Sequence, residues 1–349
     1  MCSESHQVKL SIVVPCYKTE QFIPRCMDSL VSQTLSDIEI IAVDDGSPDN
    51  SLAVLRQYES AYSNIRVIHQ DNAGSWEARW TGINAAQGTY VAFVDSDDTT
   101  EPTFAETLYT TATQNDADIV VCGFSRTDLE TGAVLSSEFS SPRAPFDLAH
   151  DPGRIVEVNP AAWNKAYRRE LLTKIPHIAG APVLEDLGLL LLAYPHCGGS
   201  IVFAPISLVN YMVHANSLIN TVTPAQVKAA WDMMLAVRAH YEKCACPPAL
   251  MAALDAVAFE HLGVSMPFRL SASKDVNLGQ MISATTAYLD EHFPTWRRNP
   301  YICASYAREH GGAFGKLLIA HGFYRAHLMQ PFLSAYSFVI NNLHMDIKW

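Results

Sequence analysis

A short apolar run leads into a cluster of carboxylates in Tyr90-Val91-Ala92-Phe93-Val94-Asp95-Ser96-Asp97-Asp98. The apolar run predicts a buried strand, because β-branched and aromatic residues dominate it. Ligands of open α/β sheets bind where such strands end. Carboxylates this close together repel one another unless a cation compensates, and Mg²⁺ or Mn²⁺ prefers oxygen ligands. The pattern indicates either a metal and phosphate site or an Asp-rich turn that caps the next helix.

Two more predicted strands end in loops upstream of this cluster. Residues 38–43 run into Asp44-Asp45-Gly46-Ser47, and residues 10–14 end at Pro15-Cys16-Tyr17. Gly46 permits a tight turn between the second strand and the helix that follows it. We therefore expect the three strand ends to face one crevice.

Strands and helices alternate as far as residue 122. Helical spacing occurs in residues 22–31, 49–58 and 75–86, and residues 65–68 and 117–122 are the other predicted strands. Such alternation predicts a parallel, doubly wound sheet with right-handed crossovers. Turn signals loosen the pattern over residues 123–159. One or two strands follow in residues 200–213, and the helices predicted beyond Pro224 span residues 225–241, 248–262 and 275–292.

The order of these blocks resembles the family 2 glycosyltransferases of the GT-A fold, over about the first 220 residues. The blocks are Ser11-Ile12-Val13-Val14-Pro15-Cys16-Tyr17, Val43-Asp44-Asp45-Gly46-Ser47, Asn72-Ala73-Gly74 with Ala78-Arg79, Phe93-Val94-Asp95-Ser96-Asp97-Asp98, Trp163-Asn164-Lys165 and Glu185-Asp186-Leu187. The resemblance implies an α/β fold with a doubly wound, mostly parallel sheet and a Rossmann-like nucleotide-binding half. We expect a catalytic domain in residues 1–220 and a mainly helical domain in residues 221–349.

The resemblance also implies a divalent cation, Mn²⁺ or Mg²⁺, at the carboxylate cluster. Asp97 is the expected metal ligand, and Asp95 would hold the ribose or the metal through water. Asp98 would either support these ligands or cap a helix.

The residues that the resemblance assigns to the nucleotide-sugar donor come from all of these blocks. They are Pro15, Tyr17, Asp44, Asp45, Asn72, Gly74, Arg79, Asp95, Ser96, Asp97, Lys165, His214 and Ser217. Asp44 and Asp45 would read a uracil base, although an Asx-type turn explains one of them as well. Arg79 would face the diphosphate, with a surface salt bridge as the alternative. His214 stands where relatives often carry Arg, which puts its diphosphate contact in doubt.

Two more acids, Glu185 and Asp186, precede the apolar residues 187–192. By resemblance Asp186 is the general base that deprotonates an acceptor hydroxyl, and Glu185 is its neighbour. One carboxylate base opposite the leaving group predicts inversion at the anomeric carbon. The alternative is that both acids only stabilise a helix N-terminus. Trp163 could stack on a sugar and Lys165 reach the acceptor or a phosphate, but a buried Trp with a polar rim explains them equally.

The leading hypothesis is an inverting transferase that uses a UDP-sugar and extends a cell-surface polysaccharide, a glycolipid or a teichoic-acid-like polymer. A non-catalytic sugar-nucleotide binder is the alternative. A nucleotidyltransferase is disfavoured, because Val14-Pro15-Cys16-Tyr17-Lys18 lacks the glycines of a phosphate loop.

Composition restricts the partners and the location. The formal charge of -12 argues against nucleic acid, and the eight cysteines lack the paired spacing of zinc sites. No apolar segment opens the chain, so we expect no signal peptide and a cytoplasmic location. We also expect no membrane-spanning segment. A peripheral contact at the inner face of the plasma membrane, through basic and aromatic residues near the C-terminus, stays open, as does a homo-oligomer.

Overall fold

The computed structural model describes residues 7–180, 183–213, 224–271 and 276–343. The chain forms two compact units. The first comprises Met1–His150 and Pro160–Asn216, and the second comprises Asp151–Asn159 and Ser217–Trp349. The predicted boundary after residue 220 lies outside the described residues. The sequence does not predict that Asp151–Asn159 joins the second unit.

The first unit contains the strands β1 to β10 and the helices α1 to α6. The strands are β1 (Leu10–Cys16), β2 (Ile38–Asp45), β3 (Ile65–Gln70), β4 (Tyr90–Phe93), β5 (Thr99–Thr100), β6 (Ala117–Asp128), β7 (Val134–Glu138), β8 (Phe146–Asp147), β9 (Lys165–Arg168) and β10 (Ser200–Val213). The helices are α1 (Ile23–Val31), α2 (Ser51–Ala61), α3 (Ser75–Ala85), α4 (Phe104–Gln114), α5 (Arg169–Leu172) and α6 (Glu185–Ala193).

One mixed sheet holds these strands in the order β3-β2-β1-β4-β9-β6-β10-β5, with β7 on β6 and β8 on β10. Strands β1 to β4 are mutually parallel, as are β6 and β10. The mostly parallel α/β fold is therefore confirmed. Strand β9 differs, because it lies antiparallel between β4 and β6. Its four residues are too few to show an alternating pattern, so the sequence does not predict this insertion.

The core of the first unit forms where apolar strands meet amphipathic helices. Every residue of β1 is buried, and α1 buries Ile23, Cys26, Met27 and Leu30. Helix α3 approaches β1 closely: a Cβ on Gly82 would lie 2.2 Å from a methyl group of Val13. Only glycine allows this approach, which places the start of α3 beside the strand ends.

The second unit is helical. It contains α7 (Pro224–Lys243), α8 (Pro248–Ala258), α9 (Met266–Ser271), α10 (Leu278–His292), α11 (Ala304–His310), α12 (Gly312–Arg325) and α13 (Met329–Leu343), with 3₁₀ turns at Pro152–Glu157 and Pro294–Arg298. A π-helical segment, Phe259–Ser265, joins α8 to α9. The rings of Phe259, Trp296 and Tyr324 pack together in its core, with centroids 5.0 to 5.6 Å apart.

The continuous helix Pro248–Ser271 corrects the expectation about membrane spans. Within the described residues it is long and apolar enough to cross a bilayer by length and composition, and 72% of its most apolar window is buried inside the structure. The sequence prediction ended this helix at residue 262 and so missed its length. Such burial is also typical of a core helix in a soluble protein.

Candidate functional site

The carboxylate cluster occupies a tight turn after β4. The amide of Asp98 donates to the carbonyl of Asp95 at 3.0 Å, and Arg25 donates to the carbonyl of Asp97 at 3.0 Å. Asp98 is buried and accepts a 2.8 Å hydrogen bond from the amide of Met212 in β10. Burial, followed by the Asp97 and Asp95 charges, raises the pKa of Asp98 well above its ordinary value. Asp98 therefore fixes the turn to β10.

Arg79 connects this turn to the second pair of acids. Its Nη2 lies 2.9 Å from Asp95 Oδ1, and its Nη1 lies 2.8 Å from Glu185 Oε1 and 2.9 Å from Asp186 Oδ1. The guanidinium is almost fully buried, with 6% of the side chain exposed. Charge-assisted bonds of this kind are strong when they are shielded from water. The structure thus brings acids from residues 95 and 185–186 into one cluster.

These contacts differ from both interpretations of Arg79 in the sequence. A surface salt bridge is wrong, because the side chain is buried. The predicted diphosphate contact stays a prediction, since the guanidinium engages three carboxylates here. The signal available in the sequence was the position of Arg79 one turn into a helix that follows a glycine loop.

Burial raises the pKa of Asp95 to about 6, although the neighbouring Arg79 lowers it; the Asp186 and Asp97 charges raise it further. A cation placed between these carboxylates would relieve their repulsion.

Helix α6 presents Glu185 and Asp186 at its first turn. Leu184 precedes the helix in the left-handed conformation, at φ 59° and ψ 27°, and its carbonyl accepts from Gly188 at 2.7 Å. Ser75 at the start of α3 donates to Glu185 Oε1 at 2.5 Å. The carboxylates are about a quarter exposed, so they are fixed in position and still reachable.

Asp44 and Asp45 end β2 with different partners. Asp45 accepts from Gln70 and from the amides of Ala73 and Gly74 at 2.8 to 2.9 Å, which ties it to the loop before α3. This long-range anchor is not an Asx-type turn. Asp44 Oδ2 lies 2.7 Å from His69 Nδ1, while its buried Oδ1 has no hydrogen-bond partner among the described residues. Asp44 thus keeps an acceptor that no described residue of this unit engages.

The side chains Trp163 and Lys165 are buried. Trp163 packs edge-on against Phe124 and stacks on Tyr211, at centroid distances of 4.8 and 5.4 Å. Lys165 donates to the carbonyl of Ala161 and to Asn164 Oδ1, at 2.5 and 2.8 Å. Burial lowers the pKa of Lys165 to about 7, against the charge of Asp186. Direct contact of Lys165 with an acceptor or phosphate disagrees with this burial.

The other predicted donor residues lie at the same edge of the sheet or outside the described chain. Pro15 is buried, and Tyr17 is 42% exposed with the Lys18 amine 5.1 Å from its ring centre. Ser96 donates to Thr19 Oγ1 at 3.0 Å. His214 and Ser217 lie outside the described residues, so their roles stay predictions.

Comparison with known proteins finds its family match in the part of the chain that contains the carboxylate cluster. The family described as Glycosyl transferase family 2 matches residues 11–176. EpsJ of Bacillus subtilis (strain 168), an uncharacterized glycosyltransferase, is 42% identical over 173 residues, which cover 47% of this chain and 49% of EpsJ. YibD of Escherichia coli (strain K12), also an uncharacterized glycosyltransferase, is 37% identical over 186 residues, covering 49% of this chain and 52% of YibD. The chain thus spans about half the length of the curated relatives it matches.

A solved structure is similar over nearly the whole chain. Residues 1–349 of TarS from S. aureus, in complex with UDP-GlcNAc, align with a TM-score of 0.68 and 19% identity, covering 91% of this chain and 92% of that one. At this identity the likeness establishes the fold alone.

Proposed function

We propose that the chain is a member of glycosyl transferase family 2, whose description matches residues 11–176, and that it is an inverting, metal-dependent enzyme. It moves a sugar from a nucleotide-diphosphate donor, a UDP-sugar, to a hydroxyl of a cell-surface polysaccharide, glycolipid or teichoic-acid-like acceptor. The support for UDP is indirect: TarS, which shares the fold, has been solved with UDP-GlcNAc.

One observation carries this proposal. The buried guanidinium of Arg79 joins Asp95, at the end of β4, to Glu185 and Asp186, at the start of α6. A transferase must hold the leaving diphosphate and deprotonate the acceptor within one pocket. Acids more than 80 residues apart in the chain meet here at the carboxyl edge of a mostly parallel sheet, where ligands of such sheets bind.

The carboxylates fit a hard divalent cation. Asp95 and Asp97 offer only oxygen ligands, and their mutual repulsion contributes to the raised pKa of Asp95. When bound, Mn²⁺ or Mg²⁺ supplies Lewis-acid stabilisation of the charge on the departing phosphate. The residues that would hold it are Asp97 directly and Asp95 directly or through water.

The chain's own side chains do the remaining work. Asp186 lies 2.9 Å from Arg79 and its side chain is 25% exposed, so its carboxylate is held where it can accept the proton of an acceptor hydroxyl. That hydroxyl then attacks the anomeric carbon from the face opposite the diphosphate, which inverts the configuration. Asp44 supplies a buried acceptor at the end of β2, where a nucleobase N–H would bind.

Calorimetric titration with UDP tests the donor and metal assignments together. We expect UDP to bind in the presence of Mn²⁺ and to bind more weakly without it, and Asp97→Ala to remove the difference. Asp232→Ala in the second unit is the matched control, because Asp232 is exposed on α7. Equal UDP affinity with and without Mn²⁺ would disprove metal dependence. A panel of UDP-sugars, with UDP release as the readout, would then identify the donor.

A further inference from the structure

Three arginines of the second unit converge on one cavity of about 270 Å³. Arg297 and Arg298 come from the 3₁₀ turn Pro294–Arg298, and Arg325 ends α12. All three side chains are exposed. The proposed transfer reaction assigns no role to this cavity, which is built entirely from residues of the helical unit.

The charge in this cavity is only partly neutralised. Arg297 pairs with Asp290 through two contacts, at 2.5 and 2.7 Å, and lies 4.7 Å over the Trp296 ring. Asp290 also accepts from Trp296 Nε1 at 3.0 Å, so this guanidinium is held in place. Within the described chain, neither Arg298 nor Arg325 forms an ion pair with a carboxylate. Among the described residues, two of the three positive charges of the cavity therefore have no carboxylate partner.

The adjacent imidazole does not neutralise or extend this charge. Burial lowers the pKa of His321, and the Arg325 and Arg297 charges lower it further, against a backbone hydrogen bond that raises it. The lowered pKa disfavours the charged imidazole, and the residues that line the cavity are the three arginines.

A groove of about 410 Å³ adjoins the cavity and shares Arg297 with it. Its lining combines the polar residues Ser283, Thr286, Gln330 and His327 with the apolar residues Ile282, Ala287 and Met329 and the aromatic residues Trp296 and Tyr324. Polar side chains of this kind pair with the hydroxyls of a sugar or polyol.

We propose that the cavity and the groove together form a binding site for a phosphate ester carried on a sugar or polyol. The arginines bind the phosphate, since forked guanidinium groups match its oxygens, and the groove binds the hydroxylated part. Binding of the phosphate ester does not depend on the proposed function. The role of this site as the acceptor-binding site does rest on the proposed function, and the acceptor would then be a phosphate-bearing glycan.

The test uses the full chain without UDP or metal, and sn-glycerol 3-phosphate as the probe, followed by phosphorus NMR. We expect saturable binding that Arg298→Ala with Arg325→Ala weakens about tenfold or more, because the double variant removes two guanidinium groups that form charge-assisted hydrogen bonds with a phosphate. Arg308→Ala is the matched control, an exposed arginine of α11 outside both cavities. Its affinity should equal that of the wild type. The glutamine pair, Arg298→Gln with Arg325→Gln, repeats the test with longer side chains.

Two comparison ligands separate the sources of phosphate. Inorganic phosphate should bind more weakly than the glycerol ester, and vesicles of phosphatidylglycerol should bind no better than those of phosphatidylcholine. Any of four results would overturn the proposal. The first two are that sn-glycerol 3-phosphate does not saturate the protein, or that it binds the double variant as tightly as the wild type. The others are that inorganic phosphate binds as tightly as the glycerol ester, or that only phosphatidylglycerol vesicles bind. UDP titration of the same samples reports the donor site separately, so failure at one site is distinguishable from failure at the other.

Discussion

The two units of the molecule differ in how they use charge. The first contains 12 Lys and Arg residues against 25 Asp and Glu residues, whereas the second contains 12 against 11. In the first unit acids concentrate at strand ends around the buried Arg79. In the second, arginines line an exposed cavity. Buried charge defines a reaction centre because its geometry is fixed, and exposed charge suits recognition because it remains available to a ligand.

The sharpest test of this contrast is the proposed base. Asp186→Asn keeps the size of the side chain but cannot accept the proton, so the transfer rate should fall about 10²–10⁴-fold. UDP affinity, measured by calorimetry, should stay near the wild-type value. Asp232→Asn in α7 serves as the control and should leave both quantities unchanged. Full transfer by the Asp186 variant would show that another group is the base.

Removing the buried guanidinium should have the next largest effect. Arg79→Met leaves three carboxylates facing one another without compensation, and loss of one partner from a buried ion pair costs about 3–5 kcal/mol. Denaturant unfolding measures the change in the free energy of unfolding. A cost below about 1 kcal/mol, similar to that of a surface pair, would show that water rather than Arg79 stabilises these acids.

Lys165 should give the first unit a stability that depends on pH. Its pKa is about 7 in the folded protein and 10.5 for an ordinary lysine, so between these values the unfolded chain binds a proton that the folded chain does not. The free energy of unfolding should therefore rise with pH across this window. The increase is complete above pH 10.5 and is lost as the pH falls to 7.

The measurement is denaturant unfolding at several pH values, for the wild type and for Lys165→Met, which lacks the titrating amine. The wild type should gain stability relative to this variant between pH 7 and pH 10. Lys243→Met, an exposed lysine in the last turn of α7, is the control and should follow the wild type. Parallel curves for all three proteins would contradict the buried, neutral amine.

The smallest effect belongs to an exposed pair of the second unit. Lys228 and Asp232 lie 2.6 Å apart at i,i+4 on α7, with 76% and 58% of their side chains exposed. Lys228→Ala should cost about 0.5 kcal/mol or less, and high salt should reduce that cost further. A loss comparable with that of Arg79→Met would break the distinction between the two units.

The strand ends of the site could be predicted from the sequence, because each apolar run stops at residues with a clear chemical preference. Residues 90–94, followed by Asp95 and Asp97, predict a carboxylate cluster at a sheet edge, and the structure places Glu185 and Asp186 beside it. The resemblance to the family blocks predicted this proximity between Asp95 and the acids Glu185 and Asp186, which are about 90 residues apart in the chain. Local periodicity alone cannot predict a contact at that separation.

The contacts that the sequence could not predict depend on tertiary packing. The burial of Lys165 follows from the insertion of β9 between two other strands, which a charged four-residue segment does not reveal. The partners of Arg79 follow from the close packing of α3 on β1 at Gly82. Asp151–Asn159 belongs to the second unit, although it lies within the sequence of the first.

The central position of β9 has a consequence for the order of events during synthesis. Strands β4 and β6 leave the ribosome first, yet the strand that hydrogen-bonds to both follows some 40 to 70 residues later. Until β9 emerges, each nascent strand keeps an unpaired edge that could recruit another chain. Translation through residue 168 therefore supplies the strand that covers the facing edges of β4 and β6, and the other edge of β6 is covered only when β10 follows.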